Sequence, residues 1–179
     1  MVGTRQIQLF LLMLIQEKKG NIKSYSASQK IIDSVLFEWY ETNKRVQRKV
    51  TNLGKDIALK FLNENPALNE GDILFEDEDS IIVVEILSCE CMVIVPKNMF
   101  DMASVCYEIG NKHLPLFFEN NELLVPFEKP LYKLLTAQGY MIKQAQRKLL
   151  QPLKTTVAAH GSQSETLFTK IMKFTTTNE

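Results

Sequence analysis

"SVCYEIGNKHLPLFFENNELLVPFEKPLYKLL", residues 104–135, holds most of the punctuation that decides the fold. Leading into it, residues 99–109 have helical spacing, with Met99, Met102, Ala103, Cys106 and Ile109 on one stripe. Asn98 is placed to cap the first turn, and Asp101 puts a carboxylate near the positive end of the helix dipole. Gly110-Asn111 predicts the left-handed stop. "LPLFF" (114–118) and "ELLVPF" (122–127) flank "ENN" and predict a hairpin. Pro130 predicts the first position of a second helix, with Leu131, Leu134 and Leu135 as its apolar face and Gly139 as its end. A strand stopped by Pro96, "CMVIVP" (91–96), precedes this run, and "YMIKQAQRKL" (140–149) supplies a last strand. The order is strand, helix, strand, strand, helix, strand, which is the split βαβ or ferredoxin-like arrangement.

Upstream, the pattern is different. "SVLFEWYE" (34–41), "KRVQRKVTN" (44–52) and "DIALKFL" (56–62) read as short strands separated by turn residues. "NENPALNEGD" (63–72) reads as a loop, and "ILF" (73–75) with "IIVVEIL" (81–87) as a hairpin around "EDEDS". The expected class is therefore α+β. It comprises an N-terminal extension (1–12), a β-rich domain (13–86), a ferredoxin-like domain (87–150) and a flexible tail (151–179) rich in Thr and Ser.

Lys plus Arg and Asp plus Glu both number 21. A neutral chain lacks the basic surface that general nucleic-acid binding or attachment to anionic membranes requires. "IQLFLLMLI" (7–15) is apolar but too short to span a bilayer, and no small-residue cleavage pattern follows it. Three cysteines do not make a disulfide framework, so a reducing, cytoplasmic setting is expected. Nucleophile-elbow, phosphate-loop, zinc-protease and dinucleotide motifs are all missing, and the chain is not expected to be an enzyme.

The chain has two histidines. His113 lies between the first helix and the following strand, where a solvated or packed role is the common one. A single imidazole makes a poor transition-metal site, but a symmetric dimer doubles it if the ring lies near the two-fold axis. His160 lies in the tail, where small neighbours let it reach; by itself a bystander role is the more natural reading, and beside a His113 pair it could serve as a further ligand. Cys89 and Cys91 have one intervening residue, an unusual zinc spacing, and share one strand face, which favours core packing. Cys106 falls on the helix stripe. "FEDEDS" (75–80) lacks the spacing of a calcium loop and reads as a solvated turn.

Residues 104–135, together with "EGDILFEDEDSIIVVEI" (70–86) and "MLIQEKKGNI" (13–22), resemble the urease accessory protein UreE family of nickel metallochaperones. The resemblance covers roughly residues 13–150, and the first twelve residues precede the family's usual start, which leaves Met13 as a candidate initiator. It implies a first domain similar to the peptide-binding domains of co-chaperones and a second domain that binds metal and forms a homodimer. The family's metal-binding histidine matches His113, and His160 is similar in position to a tail histidine that completes the dimer site. Ni²⁺ is the implied cargo, with Zn²⁺ at the same site. The implied partners are the urease accessory GTPase (UreG) and the urease apoprotein complex. Two family features are missing. "VPFEK" (125–129) has Phe127 and Lys129 where some members carry further histidines, and the tail is not His-rich. The alternative is a protein-binding adaptor whose histidine is structural. A hydrolase using His113 has no nucleophile motif to support it.

Overall fold

The computed structural model describes residues 12–25, 30–62 and 66–153. Its first half is built from β1 (Met13–Ile15), β2 (Gly20–Asn21), β3 (Ile31–Phe37), β4 (Val46–Val50), β5 (Asp56–Lys60), β6 (Asp72–Glu76) and β7 (Ser80–Ile86). One sheet runs β1-β5-β4 and the other β2-β6-β7-β3. The β1–β5 and β3–β7 pairs are parallel. Alternate residues turn inward: Val35 and Phe37 from β3, Ile57 and Leu59 from β5, Ile82, Val84 and Ile86 from β7. The two inner faces pool into one core, the arrangement by which sheets bury their apolar sides.

The strand expected at 34–41 is shifted. β3 begins at Ile31 and ends at Phe37, and Trp39–Glu41 form a 3-10 turn. The Glu41 carboxylate accepts the Glu38 N–H at 3.1 Å, which holds the turn and ends the strand.

The second half contains β8 (Ser88–Ile94), α1 (Met99–Asn111), β9 (Phe117–Glu119), β10 (Glu122–Pro126), α2 (Lys129–Ala137) and β11 (Ile142–Lys148). The sheet order is β11-β8-β10-β9, all antiparallel, which is the 4-1-3-2 order of a ferredoxin-like domain. Asn120 and Asn121 have φ of 51° and 63° and make the two-residue hairpin loop. Both positions need left-handed backbone, which asparagine tolerates better than most residues.

Met92 and Ile94 of β8 and Leu123 and Val125 of β10 face Val105 and Ile109 of α1 and Leu131 and Leu135 of α2. The helical stripe differs from the expected one. Val105 is fully buried, with Met102 and Cys106 packed beside it, whereas Met99 and Ala103 point to solvent. Asn98 caps α1 as expected, its Oδ1 accepting the Asp101 N–H at 2.9 Å. Glu128 caps α2 by accepting the Leu131 N–H at 2.7 Å, with Pro130 in the first turn. Leu134 is partly exposed, so Leu131 and Leu135 carry that face.

The other sheet face is covered differently. Cys91, Val93, Phe117 and Leu124 surround Leu149, and Trp39 packs against this cluster. The Trp39 and Phe117 rings meet edge to face with centroids 5.7 Å apart. Leu150 packs on the core of the first half. Lys148 Nζ lies 2.7 Å from Glu70 Oε1, while Glu70 Oε2 accepts the Ile86 N–H at 2.7 Å. The first residues of the expected tail are therefore ordered against the body. Phe118 donates to the Gln151 carbonyl at 3.1 Å, and Leu153 donates to the Leu116 carbonyl at 2.8 Å. Among the described residues no helix is long and apolar enough to cross a membrane.

Two outcomes follow for stability. Leu135→Ala empties a fully buried position between α2 and the sheet and costs about 3 kcal/mol, measured by urea unfolding. The second concerns Glu122, whose carboxylate accepts from Lys143 at 3.0 Å and from Arg147 at 3.2 Å. The Lys143 hydrogen bond, opposed by partial burial and aided by Arg147, holds its carboxyl below the usual carboxylate range. A depressed folded value stabilises the protein above the unfolded value of about 4.3, and that contribution is lost as pH falls through the folded one. Glu122→Gln is therefore less stable than the parent at pH 7, and the gap closes below about pH 4. Urea midpoints across this range measure it.

Candidate metal centre

The last turn of α1 decides where His113 goes. The helix runs through Gly110 and Asn111, which corrects the expectation that these two residues supply the left-handed stop. That role falls to His113 itself, with φ of 55°. Its N–H donates to the Gly110 carbonyl at 3.0 Å, and the Leu114 N–H reaches the Ile109 carbonyl at 3.4 Å. These two bonds make a Schellman closure, with His113 where glycine usually stands. Ile109 is buried in the helix-side core and Leu114 packs against the same core. The imidazole-bearing residue is exposed, yet its backbone is held from both sides.

A left-handed non-glycine residue costs roughly 1–2 kcal/mol, and such strain persists only where the surroundings over-determine it. Here the helix fixes one side. The other is fixed by the Leu114-Pro115-Leu116 segment leading into β9, with Leu114 and Leu116 packed on the domain core. The ring is thus presented at a set point on the surface.

His160 lies outside the described residues. Among the described residues no three His, Cys, Asp or Glu gather as a metal-binding group. The cysteines are built into packing. Cys91 is fully buried and donates its S–H to the Ala145 carbonyl at 3.3 Å. Burial, with the Cys89 charge adding, pushes its thiol up to about 11, far from the thiolate a metal requires. Burial raises Cys89 and Cys106 as well. Asp77 of the acidic turn spends one oxygen on the hairpin, accepting from the Asp79 N–H at 3.0 Å and the Ser80 N–H at 2.6 Å. Phe127 packs on the helix-side core, its ring 5.7 Å from that of Tyr132.

Two features escaped the sequence reading. One is the outer face of α1, where Met99, Phe100 and Tyr107 are 84%, 78% and 71% exposed. Phe100 and Tyr107 are seven residues apart, a spacing that puts both on one side. The other is the pairing of Gln151–Leu153 along β9, which carries no signal in composition or period.

The strain at His113 has a measurable consequence. His113→Gly removes the left-handed penalty and raises stability by about 1 kcal/mol, whereas a β-branched replacement, His113→Val, lowers it by at least as much. Thermal and urea unfolding of the metal-free variants read both changes.

The chain matches two family models: "UreE urease accessory protein, N-terminal domain" over residues 15–87, and the C-terminal domain of the same protein over residues 89–166. A urease accessory protein UreE of Flavobacterium johnsoniae is 42% identical over 161 residues, spanning 89% of this chain and 98% of that protein. The Haemophilus influenzae protein of the same name is 37% identical over 152 residues, 83% of this chain and 82% of that protein. The Helicobacter pylori one is 37% identical over 155 residues, 84% and 91% of the two chains. With both halves matched in order along most of its length, the chain belongs to the urease accessory protein UreE family.

Proposed function

We propose that this protein serves urease maturation as a non-enzymatic carrier of Ni²⁺, held between His113 of two copies and passed on to a partner. The observation that carries the reading is the placement of His113: an exposed residue on a rigid helix stop, in a chain whose relatives are urease accessory proteins. Imidazole suits Ni and Zn alike, and geometry rather than raw affinity separates them, so Zn²⁺ competes for the same place. One ring is too few, and a second copy brings the other without any new sequence.

The outer face of α1 supports pairing of two copies. Its exposed Phe100 and Tyr107 line one side of the helix, and large apolar side chains exposed together in this way favour an interface. Continued at helical spacing, the line through Phe100 and Tyr107 reaches Asn111, two residues before His113. His160 of the tail adds a ligand that can leave first. A carrier needs this division. The fixed rings hold the ion, the tethered ligand lets go, and a partner with more ligands takes it. The urease accessory GTPase and the urease apoprotein complex are the recipients in this reading.

Calorimetric nickel titration of the wild-type protein and of His113→Ala tests it. The substitution removes two ligands from each dimer and abolishes the tight site, and undiminished affinity in the variant sinks the assignment. Because metal binding competes with protons for imidazole, affinity also falls as the solution is acidified through the range where histidines protonate. A flat response from pH 8 to pH 5 points to carboxylates instead. Phe100→Glu with Tyr107→Glu shifts the metal-free mass toward the monomer in light scattering.

A further inference from the structure

Leu87 is the single residue between β7 and β8, and so the point where the chain passes from the first half to the second. Its N–H donates to the Phe37 carbonyl at 2.8 Å. Ser88, the next residue, pairs with Lys148 at the end of β11. Lys148 reaches Glu70 of the first half at 2.7 Å, and Leu150, two residues on, packs on the first half's core. These contacts lie side by side, where β8 begins and β11 ends. By themselves they make a hinge, because a swing about the line they define moves them least. Joined halves reorient by default unless a substantial apolar contact stops them.

The contact between Trp39 and Phe117 lies off that line. Phe117 belongs to β9, at the sheet edge opposite β11. Trp39 of the first half meets its ring edge to face, with centroids 5.7 Å apart. Trp39 packs both on the first-half core and on the cluster beneath the second-half sheet, so its indole spans the two. The turn that carries it is pinned. Thr42 Oγ1 donates to the Trp39 carbonyl at 2.8 Å, and the Glu38 N–H donates to the Glu41 carboxylate at 3.1 Å. Phe117 is buried among Cys91, Val93, Leu124 and Leu149 and cannot follow a departing indole. Ring pairs of this geometry add to what burial alone contributes. A swing about the Leu87 line has to part them.

We propose that Trp39 is a latch: seated on Phe117, it stops the hinge at Leu87 and makes the two halves turn as one body. The first half is thereby carried at a set position relative to the stop of α1. The Lys148–Glu70 ion pair lies on the hinge line and does not perform this role. The inference is independent of what His113 binds, and nickel titration does not bear on it.

Backbone-amide relaxation, measured by NMR on the full-length, metal-free protein, tests the latch. In the wild type the amides of β3 and of β10 are expected to report one rotational correlation time, and a shorter time for β3 overturns the proposal. Trp39→Ala removes the latch and leaves Leu87, Lys148 and Glu70 in place. Its β3 amides are expected to report a shorter time than its β10 amides, with both sets as well dispersed as in the wild type. Phe117→Leu deletes the ring pair from the other side while keeping an apolar side chain, and the same split is expected. A single shared time in either folded variant overturns the latch. Lys148→Met removes the ion pair on the hinge line and is expected to keep the single time. A split in that variant assigns the restraint to the ion pair and overturns the proposal as well.

Discussion

The hydrogen bond from the Leu114 N–H back to the Ile109 carbonyl, with both side chains packed into the helix-side core, fixes the point at which α1 stops. Everything after that point depends on it. Had the helix run one residue further, Leu114 and Leu116 would rotate off the core and β9 would change phase. In a strand, a slip of one residue turns every side chain to the opposite face. Phe117 would then lose its place under the sheet and Phe118 its place on the helix side. The left-handed turn at His113 is the local cost of stopping at the right residue, and the buried contacts on both sides offset it.

The proposed role of His113 gives this strained backbone a use that a mobile loop would not serve. A loop histidine must be ordered before it binds, and the ordering subtracts from affinity. At a helix stop the backbone is already ordered by packing, so that part of the ordering cost is met before binding. The ring stays exposed all the same, because the stop lies at the end of the helix and not against the sheet. Rigidity of the backbone and exposure of the residue are what the proposed carrier role would need, since the ion must be held and then given up.

The second half of the fold was largely legible in the sequence because its signals are local. Asn98 as cap, the Asn120-Asn121 turn and Gly139 each act on their own neighbours. The helix stop was misplaced by three residues for an instructive reason. Gly110-Asn111 has the composition of a stop, but the packing of Ile109 and Leu114 into the helix-side core decides the end of the helix, and tertiary packing overrides a propensity of about 1 kcal/mol. Val105 was missed on the stripe because Met99 and Ala103 completed an equally good period. Trp39 at the junction and Gln151–Leu153 on β9 were not legible, since long-range pairings leave no mark in any short window. The tail histidine, weighed in the sequence as a bystander or an added ligand, lies outside the described residues.

The route of residues 149–153 follows from topology. A 4-1-3-2 sheet puts its last strand at one edge and its second strand at the other. An open edge presents unpaired N–H and C=O groups and invites association with other chains, so natural sheets cover or shorten it. β9 is short, and the chain leaving β11 is the nearest segment able to cover it. To reach β9 it must cross the sheet, and both helices already occupy one face. The remaining face is the one that meets the first half through Trp39, which is why Leu149 and Leu150 divide between the two clusters. A single crossing therefore closes the open edge, fastens the halves together and determines where the tail departs. Of these three consequences the first two follow from burial and hydrogen bonding alone. The third comes with them, because an antiparallel strand added to β9 can run only toward the end of the sheet where α1 stops.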